Sequence, residues 1–282
     1  MPKEQKIQKL TDYFQKRQDV EMAFLFGSQS TGRERVISDW DIGIYLKPKH
    51  KELEWESEQE YAQKNQIWSD IEKIAKTEVD LVVLNSAPCT LVFDILRKGK
   101  LLALKNRSIY LSLLARASYE AIDFRNFIRD FYAIKQRSAS LSEADKTNIL
   151  KILDFLETEM KDFAKFKKVS WQDYLKSRDV KRNIERWIEN IVNASLDIAK
   201  ILLASENQEI PDTYREILEK LGIINSFDLK NTKKLAQWAR LRNVLAHQYL
   251  DLRWKRVQKF TAEAQKDFEY LAEKVREKIT PI

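Results

Sequence analysis

Cysteine occurs once in the 282 residues, at Cys89, and histidine twice, at His50 and His247. A single thiol can build neither a disulfide framework nor a cysteine-based zinc site, which suits a reducing cytoplasm. Long apolar runs are also missing. None approaches the ~20 residues of a membrane span, so no membrane partner is expected, and "MPKEQKIQKL" lacks the apolar centre of a secretory signal. Charge of one sign is in small excess: the net charge of +7 is spread over both halves of the chain. Such a balance permits contact with nucleic acid without demanding it. Glycine and proline are scarce, five of each, and the glycines are unevenly placed. Gly27, Gly32, Gly43 and Gly99 fall in the first hundred residues, and Gly222 stands alone after them.

That asymmetry marks two regions. The length exceeds a typical single small domain and fits two. The first region holds short apolar runs, "MAFLF" (22–26), "DIGIYL" (41–46) and "VDLVVL" (79–84). Their length and their β-branched and aromatic content predict strands. Between the second and third lies "ELEWESEQEYAQKNQIWSDIEKIAK", an amphipathic helix by its spacing. Strands alternating with helices indicate an α/β unit. From about Asp94 onward strand signals cease. A polar stretch, "QRSASLSEADK", places a linker near 136–141, with a helix cap expected at Ser142 or Ser140. Helices are expected near 142–168, 180–206, 211–221, 229–249 and 256–279, an all-α bundle. The fold class is thus α+β: an α/β domain over 1–137, then a helical domain over 138–282.

In the first region Gly27-Ser28 is followed by ten residues and then Asp39-Trp40-Asp41. A strand running into a Gly-Ser turn favours an anion site. Glycine admits close backbone approach, and free N–H groups with the Ser28 hydroxyl face the anion. Period-2 geometry puts Asp39 and Asp41 on one face of the next strand and Trp40 on the other. Converging carboxylates repel unless a cation lies between them. Mg²⁺ takes a few carboxylates together with phosphate oxygens, the chemistry of nucleotidyl transfer. Asp80, a charged residue within an apolar strand, is the expected third carboxylate. This stretch resembles the nucleotidyltransferase superfamily of polymerase-β-like fold, and residues 1–135 resemble its minimal, MntA-like members. The resemblance implies that Gly27 and Ser28 position a triphosphate, with ATP as donor, and that Asp39 and Asp41 hold Mg²⁺. Asp80 would be either a third metal ligand or the group that activates the acceptor hydroxyl. Arg33 fits equally a phosphate contact or an exposed loop arginine. His50, in "KPKHKELE", is expected in solvent.

The second motif lies in "ARLRNVLAHQYLD" (239–251). On a continuous helix, Leu235, Trp238, Leu241 or Arg242, Leu245 and Tyr249 share one stripe. Ala236, Arg240, Asn243 and His247 share another. Those stripes alone describe a core face ending in a tyrosine and a face toward water. The pattern Arg242-Asn243-x3-His247-x-Tyr249 resembles HEPN domains and, within them, HepT-like toxins with Arg-x4-His-x-Tyr. Arg240 fits a looser arginine–histidine spacing. The likeness extends loosely over 142–282. Histidine can take a proton from a 2′-hydroxyl near neutral pH, and the fixed charge and planar fork of arginine suit a pentavalent phosphate. Residues five apart on a helix lie ~140° around its axis, so Arg242 and His247 meet through a long arginine reach or across two subunits. The resemblance implies a homodimer through this domain and RNA, tRNA at family level, as substrate.

In MntA–HepT pairs the nucleotidyltransferase transfers AMP to the tyrosine of that motif and silences the ribonuclease. The expectation is therefore a single-chain toxin–antitoxin protein in which Tyr249 is the acceptor. An alternative is an aminoglycoside-type nucleotidyltransferase acting on a small molecule, with a non-catalytic helical domain. A nucleotide-binding module without turnover is a third reading.

Overall fold

The structure, a computed structural model, describes residues 2–27, 40–48, 53–57, 59–137, 140–241 and 253–280. The chain divides into two compact units, Met1–Arg125 and Asn126–Ile282. In order, the N-terminal unit contains α1 (Lys3–Lys16), β1 (Val20–Phe26), β2 (Trp40–Leu46), α2 (Gln63–Ala75), β3 (Val79–Val83), α3 (Cys89–Lys98), β4 (Lys100–Leu104) and the first part of α4 (Arg107–Arg137). The four described strands form a sheet in the order β3-β2-β1-β4. β1 is antiparallel to both of its neighbours, whereas β2 and β3 run parallel.

The three expected strands are present. α1 and β4 are additions. "KLLAL" is short, and Leu101 leaves its side chain exposed, so the run carries little alternation to distinguish it from the helices around it. Of the expected helix of 52–76, α2 is helical, whereas described residues 53–57 are not, although Trp55 among them is buried.

Alternation along β2 assigns its two faces. Trp40, Ile42, Ile44 and Leu46 enter a core with Leu10 and Phe14 of α1 and Ile67 and Ile71 of α2. Asp41, Gly43 and Tyr45 point the other way, as period-2 geometry requires. There α3 closes over the sheet: a Cβ on Gly43 would lie 3.1 Å from Cγ2 of Ile95. At the far end of the β2–β3 pair, buried Asn85 holds the strand end with two hydrogen bonds. It accepts from the Leu46 N–H at 2.8 Å and donates to the Leu46 carbonyl at 3.0 Å. These bonds satisfy backbone groups that burial would otherwise leave orphaned, and they fix the register from which the carboxylates follow.

The C-terminal unit takes the rest of α4 and then α5 (Glu143–Met160), α6 (Phe163–Phe166), α7 (Trp171–Lys176), α8 (Arg178–Ser205), α9 (Tyr214–Lys220), α10 (Leu229–Ala236), α11 (Arg253–Glu263) and α12 (Gln265–Ile279). A 3-10 turn at Leu221–Ile223 follows α9. Ser142 caps α5 by accepting from the Asp145 N–H, as expected from the sequence. Asp145 in turn is held by Arg137 at 2.8 Å. The core is aromatic. Phe260 packs against Phe163, Trp187, Trp238 and Phe268 with centroids 5.3–5.7 Å apart, spacings at which edge and offset contacts are favourable. Among the described residues no helix is long and apolar enough to cross a membrane.

Candidate functional site

The β2–β3 register sets Asp41 directly beside Asp80. Neighbours in register on parallel strands share a face and stand about 4.8 Å apart at the backbone. Their carboxylates therefore rise from the same side of the sheet, while Trp40 is buried on the other. On the opposite flank of Asp41 is β1, whose Phe26 pairs with it. Gly27 follows with φ +69°, a left-handed conformation that glycine adopts without strain. A Cβ there would sit 2.0 Å from Oδ2 of Asp41. Glycine is thus required twice over, for its dihedral angle and for the space its missing side chain gives to the carboxylate. The sequence suggested that Gly27 makes room for a phosphate. In the structure the group lying in that room is Asp41.

Asp80 differs from expectation in one respect. It was singled out as a charge buried in an apolar strand, yet its side chain is exposed. Burial therefore does not demand a counter-ion; what joins it to Asp41 is register. Two carboxylates on one face fit Mg²⁺, a hard cation that prefers oxygen donors, keeps several waters and takes phosphate oxygens rather than an all-protein cage. Among the described residues no cluster of three or more His, Cys, Asp or Glu is placed to hold a metal ion. Ser28, Arg33, Asp39 and His50 lie outside the described residues. Cys89 is buried at the start of α3, and burial, reinforced by Glu56 and Glu120, pushes its thiol far above the usual range.

In the C-terminal unit the structure describes what precedes and follows the second motif. The expected helix of 229–249 is interrupted. α10 ends at Ala236, residues 237–238 form a turn, and 239–241 are helical again. Leu235, Trp238 and Leu241 are buried, as the apolar stripe predicted. Trp238 carries a polar anchor the sequence did not disclose: its indole N–H donates to Oδ2 of Asp267 at 2.7 Å. Burial raises the Asp267 carboxyl above its ordinary range, and the Trp238 bond partly offsets this. Arg240 is half-buried. Arg242, Asn243, His247 and Tyr249 lie outside the described residues.

Comparison with known proteins separates the same two regions. A family model described as polymerase beta, nucleotidyltransferase, matches residues 8–108, and one described as ribonuclease HepT-like matches 151–275. The chain joins a nucleotidyltransferase domain to a HepT-like domain. The first match contains Gly27, Ser28, Asp39, Asp41 and Asp80, and the second contains Arg242, Asn243, His247 and Tyr249. A solved structure described as a toxin-antitoxin with AMP-PNP is 21% identical, over 46% of this chain and 98% of its own, at a TM-score of 0.35. No curated protein matches the chain. The nucleotidyltransferase domain thus has its Asp41–Asp80 pair assembled on strands. The HepT-like domain holds the residues that lead into and out of its motif on an aromatic core.

Proposed function

We propose that the nucleotidyltransferase domain transfers AMP from ATP to Tyr249 of the HepT-like domain and so silences a metal-independent ribonuclease. The observation that carries this reading is the Asp41–Asp80 register beside Gly27, in a chain that also bears Arg242-x4-His247-x-Tyr249. In the transfer, the Tyr249 phenolic oxygen bonds to the α-phosphorus of ATP, the bond to the bridging oxygen breaks, and pyrophosphate leaves. The phenolic proton passes to a carboxylate. The exposure of Asp80 favours it for that role, next to Asp39 and Asp41 as the residues that would hold Mg²⁺. The cation, when bound, supplies charge neutralisation at the triphosphate. Ser28 and the backbone around Gly27 keep the triphosphate in line.

With Tyr249 unmodified, His247 takes the 2′-hydroxyl proton of RNA, and the 2′-oxygen attacks the adjacent phosphorus. The 5′-oxygen leaves with a proton, giving a 2′,3′-cyclic phosphate and a 5′-hydroxyl. Arg242 stabilises the pentavalent phosphate, supported by Asn243, and a homodimer through the HepT-like domain brings two motifs together. An adenylyl group on Tyr249, two residues from His247, adds negative charge where the RNA phosphate must lie.

Intact-mass measurement of the chain as purified and after incubation with MgATP tests this. An adenylyl increment is expected on Tyr249, absent from Tyr249→Phe and from Asp39→Ala/Asp41→Ala. The unmodified Asp39→Ala/Asp41→Ala chain is expected to cleave RNA, an activity that adding His247→Ala abolishes. An unmodified Tyr249 under both conditions overturns the reading. AMP transfer to a small-molecule acceptor instead would favour the aminoglycoside-type alternative.

A further inference from the structure

Three aromatic rings meet on the surface of the C-terminal unit. Trp171 and Tyr174 come from α7 and Trp254 from α11. Their centroids are 5.9 Å apart for Trp171–Trp254, 5.1 Å for Tyr174–Trp254 and 6.1 Å for Trp171–Tyr174. Tyr174 is the floor, 4% exposed, with its hydroxyl donating to Oε1 of Glu185 at 2.5 Å. Trp171 keeps 37% of its surface exposed, and Leu175 beside it 63%. Hydrophobic burial would draw these side chains inward, yet both remain exposed. An exposed aromatic group of this kind marks a contact surface.

The charge around it identifies the partner. Residues 162–189 carry eight basic and five acidic side chains, Lys165 and Arg186 being paired with Asp162 and Glu189, and Lys255 and Arg256 beside Trp254 add two more basic ones, in a chain whose total is +7. Lys181 Nζ lies 5.5 Å from the Tyr174 ring centroid. Lys168, Lys176 and Arg178 are exposed. Aromatic faces set among cations match unpaired bases on a phosphate chain: every base has a π-face, and every linkage an anion. A duplex is a poorer match, because its bases are already stacked on one another. Trp254 follows His247 by seven residues in the sequence.

We propose that Trp171 and Trp254, on the Tyr174 floor with Lys181 beside it and exposed Lys168, Lys176 and Arg178 in the same stretch of chain, form a stacking site for unpaired bases of a single-stranded RNA. It rests on the ribonuclease reading of the HepT-like domain. It adds where the substrate is gripped outside the Arg242–Tyr249 motif.

The test is fluorescence anisotropy of the full chain carrying His247→Ala, so that RNA is not cut. The probes are a labelled single-stranded RNA of about twelve nucleotides, within the reach of aromatic single-strand sites, and an abasic copy of the same length. Trp171→Ala is expected to bind the RNA roughly tenfold more weakly with an unchanged melting curve, and Trp171→Phe to restore binding. The abasic copy is expected to bind the Trp171-containing chain more weakly than the RNA does, and to bind Trp171→Ala no differently from it. Equal binding of RNA by the Trp171-containing chain and Trp171→Ala, or of RNA and its abasic copy by the Trp171-containing chain, overturns the site. So does an acidic peptide that displaces RNA and loses its own binding in Trp171→Ala, which would make the surface a protein-docking one. RNA cleavage is measured separately on the chain carrying Asp39→Ala/Asp41→Ala, which is not adenylylated. If that fails while the binding arms hold, the ribonuclease reading falls and the stacking site stands.

Discussion

Asp41 and Asp80 stand on neighbouring strands of the described sheet, Asp41 on interior β2 and Asp80 on β3 at its edge, where backbone pairing decides which side chains meet. The segment before Arg242 follows a short helix and a turn, and side-chain packing decides its place. Leu235, Trp238 and Leu241 are buried, and Trp238 is tied to Asp267. The two domains therefore hold their chemistry by different forces. Register in the first is fixed by hydrogen bonds such as those of Asn85. Position in the second depends on an aromatic core whose rings tolerate little loss of volume. Damage to that core should unfold the HepT-like domain, whereas damage at the first site should remove chemistry at modest cost in stability.

The sharpest way to break this comparison is at Phe260, which is fully buried and touches four other aromatic rings. Phe260→Ala leaves a cavity that its neighbours cannot fill together, and a loss of about 3–5 kcal/mol is expected. Denaturant unfolding followed by tryptophan fluorescence measures it, because Trp187 and Trp238 lie against the deleted ring. A loss under about 1 kcal/mol, the size of a tolerated volume-conserving swap, would mean that packing is not what holds the HepT-like domain.

The two sites also differed in how far they could be read from the sequence. Asp41 and Asp80 were legible because charged residues interrupt apolar strands, and period-2 geometry turns position into facing. The seat of Asp41 against Gly27 was not, because it depends on a turn dihedral and on two strands being side by side. β4 escaped because a short run with an exposed leucine reads like its helical neighbours. In the HepT-like domain the apolar stripe was legible from spacing. The break at 237–238 was not, since no glycine or proline marks it. The Trp238–Asp267 bond joins residues 29 apart in sequence, and no local pattern reports such a partner. The pairing of histidine with arginine came from resemblance, since spacing on a helix does not distinguish a site from a solvated face.

A smaller effect is expected at Gly27, and it sharpens the first half of the comparison. Gly27→Ala must hold a left-handed residue, at a cost of about 1–2 kcal/mol, and must displace the Asp41 carboxylate from the space it fills. Gly43→Ala, on the same face of the sheet, meets Ile95 at a tight but yielding 3.1 Å. Melting curves should show a modest loss for both. Adenylyl incorporation should vanish in Gly27→Ala and persist in Gly43→Ala. Equal activity of the two variants would break the link between Gly27 and the placement of Asp41.

The smallest expected effect is electrostatic and belongs to the HepT-like domain. Burial raises the Asp267 carboxyl in the folded chain above its unfolded value. A carboxyl shifted upward binds its proton more tightly in the fold. The stability this brings is fully present below the unfolded value and is lost as pH rises through the folded one. Once ionised, Asp267 is a charge that burial disfavours, although Trp238 and Lys234 soften the penalty. Asp267→Asn keeps an oxygen that can accept from the Trp238 indole and removes the charge. It should melt above the parent at pH 7, and the difference should shrink as pH falls through the carboxylate range. Paired melting curves from pH 7 to pH 3 measure this. An advantage that stays constant across that range would assign the gain to packing and would remove burial of the Asp267 charge from the account of how the approach to the motif is held.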